Sequence, residues 1–362
     1  MGQRGKTSPV MITALSLALL AGCGGDGTNP FQEDPEEPTE DGGDGGDGGT
    51  GDGFDLGGGG TPPGIDGPSG SVTSQLVRYE ERNDNGGGYA EEFAYDSDTD
   101  TFTVDNLAFD GDNTYERGTA VASLGPNSTY AVYEADVTVP DGLNGDPVSQ
   151  IQNYRAIVGI SGNSVSGEPR TSFAIVRTGG YVQYGFGGFV YERRGGAVIP
   201  TTGQGTFEGD YAGVRIFDGR GGMEYVEGDM EMRIDFEDPN ATNGVAGSIT
   251  NRVGYDPDGN LVTLGNDGEA GELPLPDIRW VLDGEGNMSA DGEMTGEVFS
   301  TYVDPDGNEV QYEDGNYYAI LAGDATDGTD GGEVVGVLVV ESDDPRFDGV
   351  TDQETGGFIL SR

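Results

Sequence analysis

The chain has 362 residues, 68 of them glycine, with 17 Lys+Arg against 66 Asp+Glu and no histidine. Arg4 and Lys6 lie in the first six residues, so the remainder carries 15 basic residues (17 − 2), all arginine, against 66 acids, a net charge of −51. Such a surface repels nucleic acid and anionic lipid head groups, and is kept soluble by hydration in a salty medium that screens its self-repulsion. The lack of histidine, and of lysine after residue 6, excludes Ser-His-Asp and Cys-His nucleophiles, imidazole-bound zinc, Schiff bases and a P-loop lysine.

Residues 1–22 read as an export signal. Arg4 and Lys6 form a short positive n-region, followed by an apolar run over 10–20. That run falls short of the ~20 apolar residues that span a bilayer. It ends in Leu19-Leu20-Ala21-Gly22-Cys23, which resembles a bacterial lipobox. Small residues let the chain enter a peptidase cleft, and the Cys23 thiol takes a diacylglycerol. Cys23 is also the only cysteine. The chain therefore has no disulfide framework and no redox pair, and its stability must come from a core.

Residues 23–71 read as a tether. Between Asp26 and Asp66 stand twelve acids and no base, with glycine and proline filling most of the rest. One sign of charge and few apolar groups cannot offset the entropy of ordering, which predicts disorder. Coil statistics for about 48 residues give roughly 40 Å of reach, and self-repulsion extends it. The glycine-aspartate run at 41–53 is similar to the calcium-binding nonapeptide of β-helix repeats, but it lacks the apolar residue that packs such a helix.

From residue 72 onward the pattern is one of short strands and turns. Period-two alternation is visible over 101–104, 130–139, 181–184 and 230–236. Turn signals are Asn85-Gly86, Asp110-Gly111, Asp141-Gly142, Asp258-Gly259, Asp306-Gly307 and Asp314-Gly315. Dense hairpins predict an all-β, antiparallel chain, and closing the meander into a barrel hides its edges. A breaker cluster, Ile199-Pro200-Thr201-Thr202-Gly203, divides 72–203 from 204–362. The second part holds eight or nine strand-like runs, beginning near Gly205, Met223, Asp229, Gly244, Asp277, Glu293, Asn316, Glu333 and Gly356. That number suits a small closed up-and-down β-barrel of about eight strands, filled by side chains.

Several segments of 204–362 carry a family resemblance. They are Gly205-Thr206-Phe207-Glu208-Gly209-Asp210-Tyr211-Ala212-Gly213, the run 230–238, Gly247-Ser248-Ile249-Thr250, Gly292-Glu293-Met294-Thr295-Gly296-Glu297-Val298-Phe299, and Glu333-Val334-Val335-Gly336-Val337. This part resembles the β-barrel domain of transferrin-binding protein B and related surface lipoproteins. The resemblance implies glycines where strands curve sharply and a side chain would clash. It also implies that 72–203 is a β-rich, handle-like domain, and that the protein belongs at the bacterial outer membrane, facing the cell surface or the periplasm. The family's host-protein partners do not carry over, since no partner-binding residue aligns.

The chemistry left open is that of paired carboxylates and oxygen-only metal sites. Asp256-Pro257-Asp258-Gly259-Asn260 and Asp304-Pro305-Asp306-Gly307-Asn308 read first as β-turns, with structural calcium as the other reading. The densest aromatic run, 178–191, reads as curved strands with packed rings, or alternatively as an exposed recognition face. Arg193 and Arg194 follow it, and a salt bridge to the tether or to a neighbouring acid is their plainest role. No catalytic, cofactor or metal residue stands out; Cys23 is the one assigned site, for lipidation. The expectation is a non-enzymatic lipoprotein that binds a protein or small ligand through β-domain loops. A carboxylate-dependent hydrolase and a purely structural or adhesive envelope protein are the alternatives. Replacing Cys23 (C23S) should abolish incorporation of radiolabelled fatty acid and release the chain from the membrane fraction.

Overall fold

The computed structural model describes residues 75–362 apart from 108–109, 112, 141–143, 181–182, 242–243, 265–273, 281–286, 304–306 and 327–330, together with the backbone of Phe54–Asp55. Among the described residues there are strands and turns and no helix, as the turn-rich alternation predicts. Cys23 and nearly all of the tether lie outside the described residues.

Eight strands build a first sheet: β1 (Leu76–Tyr79), β2 (Glu91–Asp96), β3 (Thr101–Asp105), β4 (Thr114–Arg117), β5 (Tyr130–Glu134), β6 (Arg155–Ile160), β7 (Thr171–Arg177) and β8 (Gly187–Arg193). Their order is β2-β3-β4-β5-β6-β7-β8-β1, so the first strand returns beside the last. The short strand Phe54–Asp55 extends the free edge of β2. The sheet curls on itself, with one face closing on Phe93, Phe102, Tyr115, Tyr133 and Tyr154. Period two then sends Phe173, Ile175, Phe189 and Tyr191 to the opposite face. Every residue of β7 and β8 is buried, which requires a second body on that face.

That body is a closed barrel. Its strands are β9 (Gln204–Asp218), β10 (Met223–Asp235), β11 (Val245–Tyr255), β12 (Ile278–Trp280), β13 (Glu293–Val303), β14 (Glu309–Asp324), β15 (Glu333–Asp343) and β16 (Thr351–Ser361). Each pairs antiparallel with the next, and β16 returns to β9 through pairs such as Val214↔Thr355. The ring leaves no open edge to template pairing with another chain. Its shortest seam is β12, which meets β11 only at Ser248↔Arg279 and Ile249↔Ile278. The all-β class and the closed eight-stranded barrel are both as the sequence predicts.

Some local readings change. The runs expected to start at Met223 and at Asp229 are one strand, with a bulge against β11 between Glu227 and Asp229. Gln183 and Tyr184 lie in a turn rather than in an alternating strand, and the neighbouring 181–182 lie outside the described residues. Asp314-Gly315 is not a hairpin turn either. It sits inside β14, where a Cβ on Gly315 would lie 2.0 Å from the Val339 carbonyl. Glycine there permits close approach of two backbones, a need that composition cannot separate from a turn.

Outward side chains of the barrel, including Val214, Ile216, Val335 and Val337, pack against the first sheet. This explains why 334–340 reads as an unbroken apolar run, since both faces of β15 are covered. The paired glycines of β16 divide their work between those faces. A Cβ on Gly356 would lie 2.1 Å from the Tyr211 hydroxyl inside the barrel, and one on Gly357 would lie 2.2 Å from the Phe173 ring outside it. G357V should therefore destabilise the chain by about 1–3 kcal/mol, read as a lowered urea midpoint, because Phe173 has no free space to withdraw into.

Candidate functional site

The barrel interior is the first place to seek a site, and it is filled. Phe207, Met230, Met232, Ile249, Trp280 and Phe358 occupy part of it. Elsewhere in it, two guanidinium groups meet three carboxylates, from Arg215 on β9, Arg252 on β11, Glu313 on β14 and Asp352 and Glu354 on β16. Their side chains are 0–1% exposed, a burial that ions tolerate only when paired and hydrogen-bonded.

Arg252 sits between two of the acids. Its Nη1 and Nη2 donate to Glu313 at 2.7 and 2.9 Å, and Nη2 donates to Glu354 at 2.6 Å. Nη1 also donates to the Pro276 carbonyl at 2.7 Å. Glu313 further accepts from Arg215 Nη2 at 3.1 Å and from the Ser300 hydroxyl at 2.5 Å. Burial pushes the Glu313 carboxyl up, but Arg252, Arg215 and Ser300 together outweigh it and hold the group below the usual range. Glu354 accepts from the Tyr211 hydroxyl at 2.7 Å. Glu313 and Glu354 therefore meet on the two sides of Arg252, with all three side chains fully buried inside the ring.

This cluster escapes a reading by residue type alone. Its signal in the sequence is parity: Arg215 shares the inward face of β9 with Tyr211, and Asp352 and Glu354 share that of β16 with Phe358 and Leu360. Charges on the inward side of strands must meet one another once the sheet closes.

The junction between sheet and barrel is also pinned by buried polar groups. Glu333, at the start of β15, accepts from the Ser161 and Thr171 hydroxyls at 2.6 and 2.8 Å and from the Asn163 amide. The Tyr130 hydroxyl donates to the Asp210 carbonyl at 2.7 Å and accepts from the Ile359 N–H at 2.9 Å. Arg177 reaches Glu80 at 2.8 Å and the Thr355 hydroxyl at 3.1 Å. Arg193 donates to the carbonyls of Asp291 and Leu321 at 2.6 and 2.7 Å. Arg194 does pair with acids, Glu168 and Glu192. The aromatic run before them is core, with Phe186, Phe189 and Tyr191 all buried.

What remains for recognition is the outside. Of the 15 arginines, twelve are in ion pairs among the described residues, and Arg193 and Arg362 donate to backbone carbonyls. The fifteenth, Arg279 on β12, is exposed, and carboxylates dominate the rest of the surface. One open groove of about 350 Å³ beside the 127–129 loop is lined by Glu208, Asp210, Asp229 and Glu231. A short hairpin between β5 and β6 exposes Val137, Val148 and Ile151, the last at 79%.

Asp256-Pro257-Asp258-Gly259-Asn260 is a turn, closed by Gly259 N–H on the Asp256 carbonyl at 2.9 Å and by Asp256 Oδ1 accepting from Asp258 and Asn260. Residues 304–306 of its counterpart lie outside the described residues. Among the described residues no group of three or more acids or thiols is placed to hold a metal ion.

No family model and no curated protein matches the chain. Solved structures do. A double mutant of transferrin-binding protein B from Haemophilus parasuis Hp5 is similar over 80% of this chain and 45% of its own, at 13% identity and a TM-score of 0.36. An intact transferrin-binding protein B with N and C lobes matches over 76% of this chain and 68% of its own, at 9% identity and a TM-score of 0.28. A surface lipoprotein matches over 54% of this chain and 78% of its own, at 12% identity and a TM-score of 0.25. This chain thus spans less than half the length of the first of these.

The buried ion cluster yields a direct test. R252M should destabilise the chain by about 3–5 kcal/mol, since it removes the guanidinium hydrogen bond to buried Glu354 and weakens the hold on Glu313. The exposed pair Arg82–Glu91 should cost under about 1 kcal/mol when broken by R82M. Both are read from urea unfolding.

Proposed function

We propose that this chain is a non-enzymatic lipoprotein of the bacterial envelope, anchored to the outer membrane through Cys23, that binds a partner on its outer surface. The observation that carries the reading is the filled barrel: with its interior taken by rings and paired ions, a ligand has only loops and outer faces to engage. The signal and lipobox at 1–23 support the anchor, and the acidic run between Asp26 and Asp66 supports a tether that holds the β-domains clear of the bilayer. The reading keeps 72–203 as a handle-like domain and 204–362 as the barrel domain.

The charge distribution shapes the partner. Arginines spent on internal pairing leave an anionic exterior, so a protein or small ligand that docks there presents cationic groups. Nucleic acid is repelled by the same surface. The sealed position of Glu313, Asp352 and Glu354 weighs against hydrolysis by paired carboxylates.

The test is a pulldown from envelope extract and medium with the tagged chain, at about 50 mM and 500 mM salt, with and without calcium. A saturable partner whose retention falls at high salt is expected, because the Debye length shrinks from above 10 Å toward a few ångströms. Retention of nothing saturable at either salt would favour a structural role. Protease shaving of intact cells locates the domain: digestion is expected for a surface-facing anchor, and protection would place it on the periplasmic side.

A further inference from the structure

Within the barrel the three carboxylates are not equivalent. Glu313 and Glu354 both receive guanidinium hydrogen bonds at 3.1 Å or less. Asp352 receives one neutral donor, the Ser342 hydroxyl on β15, at 2.9 Å on Oδ2. Its Oδ1 faces Arg215 Nε at 3.5 Å, outside hydrogen-bond reach, and among the described residues neither atom has another partner. Three acids against two guanidinium groups also leave the cluster one negative charge in surplus. The surplus sits in a site where both Arg215 and Asp352 side chains are at most 1% exposed.

We propose that Asp352 is a buried proton-binding site: the folded chain takes up one proton there, the cluster becomes neutral, and the barrel is firmer in mildly acidic medium than at neutral pH.

The surrounding groups direct the proton to this position. Arg215 and Arg252 are held above their usual range by the acids around them, against the effect of burial, and stay charged. Glu313 is held below its usual range and stays ionised. Burial raises the hydroxyls of Tyr211 and Tyr312, which stay neutral. Ser300 and Ser342 supply only neutral hydroxyl donors. Glu354 already accepts from Arg252 and Tyr211. Asp352 itself is pushed up by burial to about 6, with Arg215 pulling it down and Glu313 and Glu354 pushing it back.

The direction follows from linkage. An aspartate normally titrates near 3.8, so the native state binds this proton more tightly than the unfolded chain does. The stabilisation is complete below about 3.8 and is lost as the pH rises through about 6. Glu192 and Glu293 are raised by burial and act in the same sense, whereas Asp100 and Asp344 are lowered and oppose it. None of these four belongs to the barrel cluster, so they cancel when two variants differ only at residue 352.

The test compares thermal melts of the full chain carrying C23S with the same chain carrying also D352N, from pH 4.5 to 7.5. The D352N chain should melt about 4 °C or more higher at pH 7.5, with the gap closing as the pH falls through about 6. A gap that stays constant over this range overturns the proposal. Carboxyl carbon NMR of the aspartate-labelled chain is the second measurement, and it does not depend on how D352N folds. One aspartate resonance should titrate near pH 6 and move to higher midpoint in S342A, which removes the hydroxyl that favours the ionised form. If no aspartate titrates above pH 5, the proposal fails.

Discussion

Arg252 and the acids around it set the terms for this molecule. An eight-stranded barrel encloses a space that inward side chains must fill. Here part of that space holds five ionisable groups, paired so that Arg252 bridges Glu313 and Glu354 from three strands at once. Buried pairs of this kind add little net stability over an apolar filling, but they punish any arrangement that leaves one partner alone. The cluster therefore fixes which strands face one another: β9, β11, β14 and β16 must present their charges at one level. A register slip of one residue on any of them would turn a charge outward and strand its partners.

The same economy extends to the junction and the surface. A chain with 15 arginines after residue 6 and 66 acids has few cations to distribute. It spends them inside the barrel, across the sheet-to-barrel junction and in pairs at the rim. The junction is consequently specified by polar pins as well as by apolar cover, with Glu333 and Tyr130 each satisfied from the opposite body. On the outer surface the few exposed arginines, such as Arg82, Arg233 and Arg279, are outnumbered by carboxylates. Internal order and an anionic exterior are two results of one allocation.

Glycine plays a complementary part. The close approach of β14 to β15 at Gly315, and of β16 to both Tyr211 and Phe173 at Gly356 and Gly357, leaves no room for a Cβ. At Gly356 and Gly357 aromatic rings occupy the space that the missing side chains concede, and at Gly315 the neighbouring backbone does. The glycine-and-aromatic character of the sequence is thus a packing device, and the rings of 186–191 are core rather than a displayed face.

Local chemistry was enough to establish much of this protein from the sequence. Alternation and Asp-Gly or Asn-Gly turns specify strands and hairpins, because both depend only on neighbours along the chain. The class, the closed barrel and the turn at 256–260 follow from them. Composition likewise excludes imidazole and internal disulfide chemistry, and lysine chemistry after residue 6. The tertiary structure decided what depends on distant partners. Whether Asp314-Gly315 turns a corner or lets two strands touch is set by Val339, and the carbonyls that Arg193 reaches, those of Asp291 and Leu321, lie 98 and 128 positions along the chain. Above all, residue type could not show that Arg215, Arg252, Glu313, Asp352 and Glu354 share one buried site. They are spread over 140 positions, from 215 to 354, and ring closure brings them together.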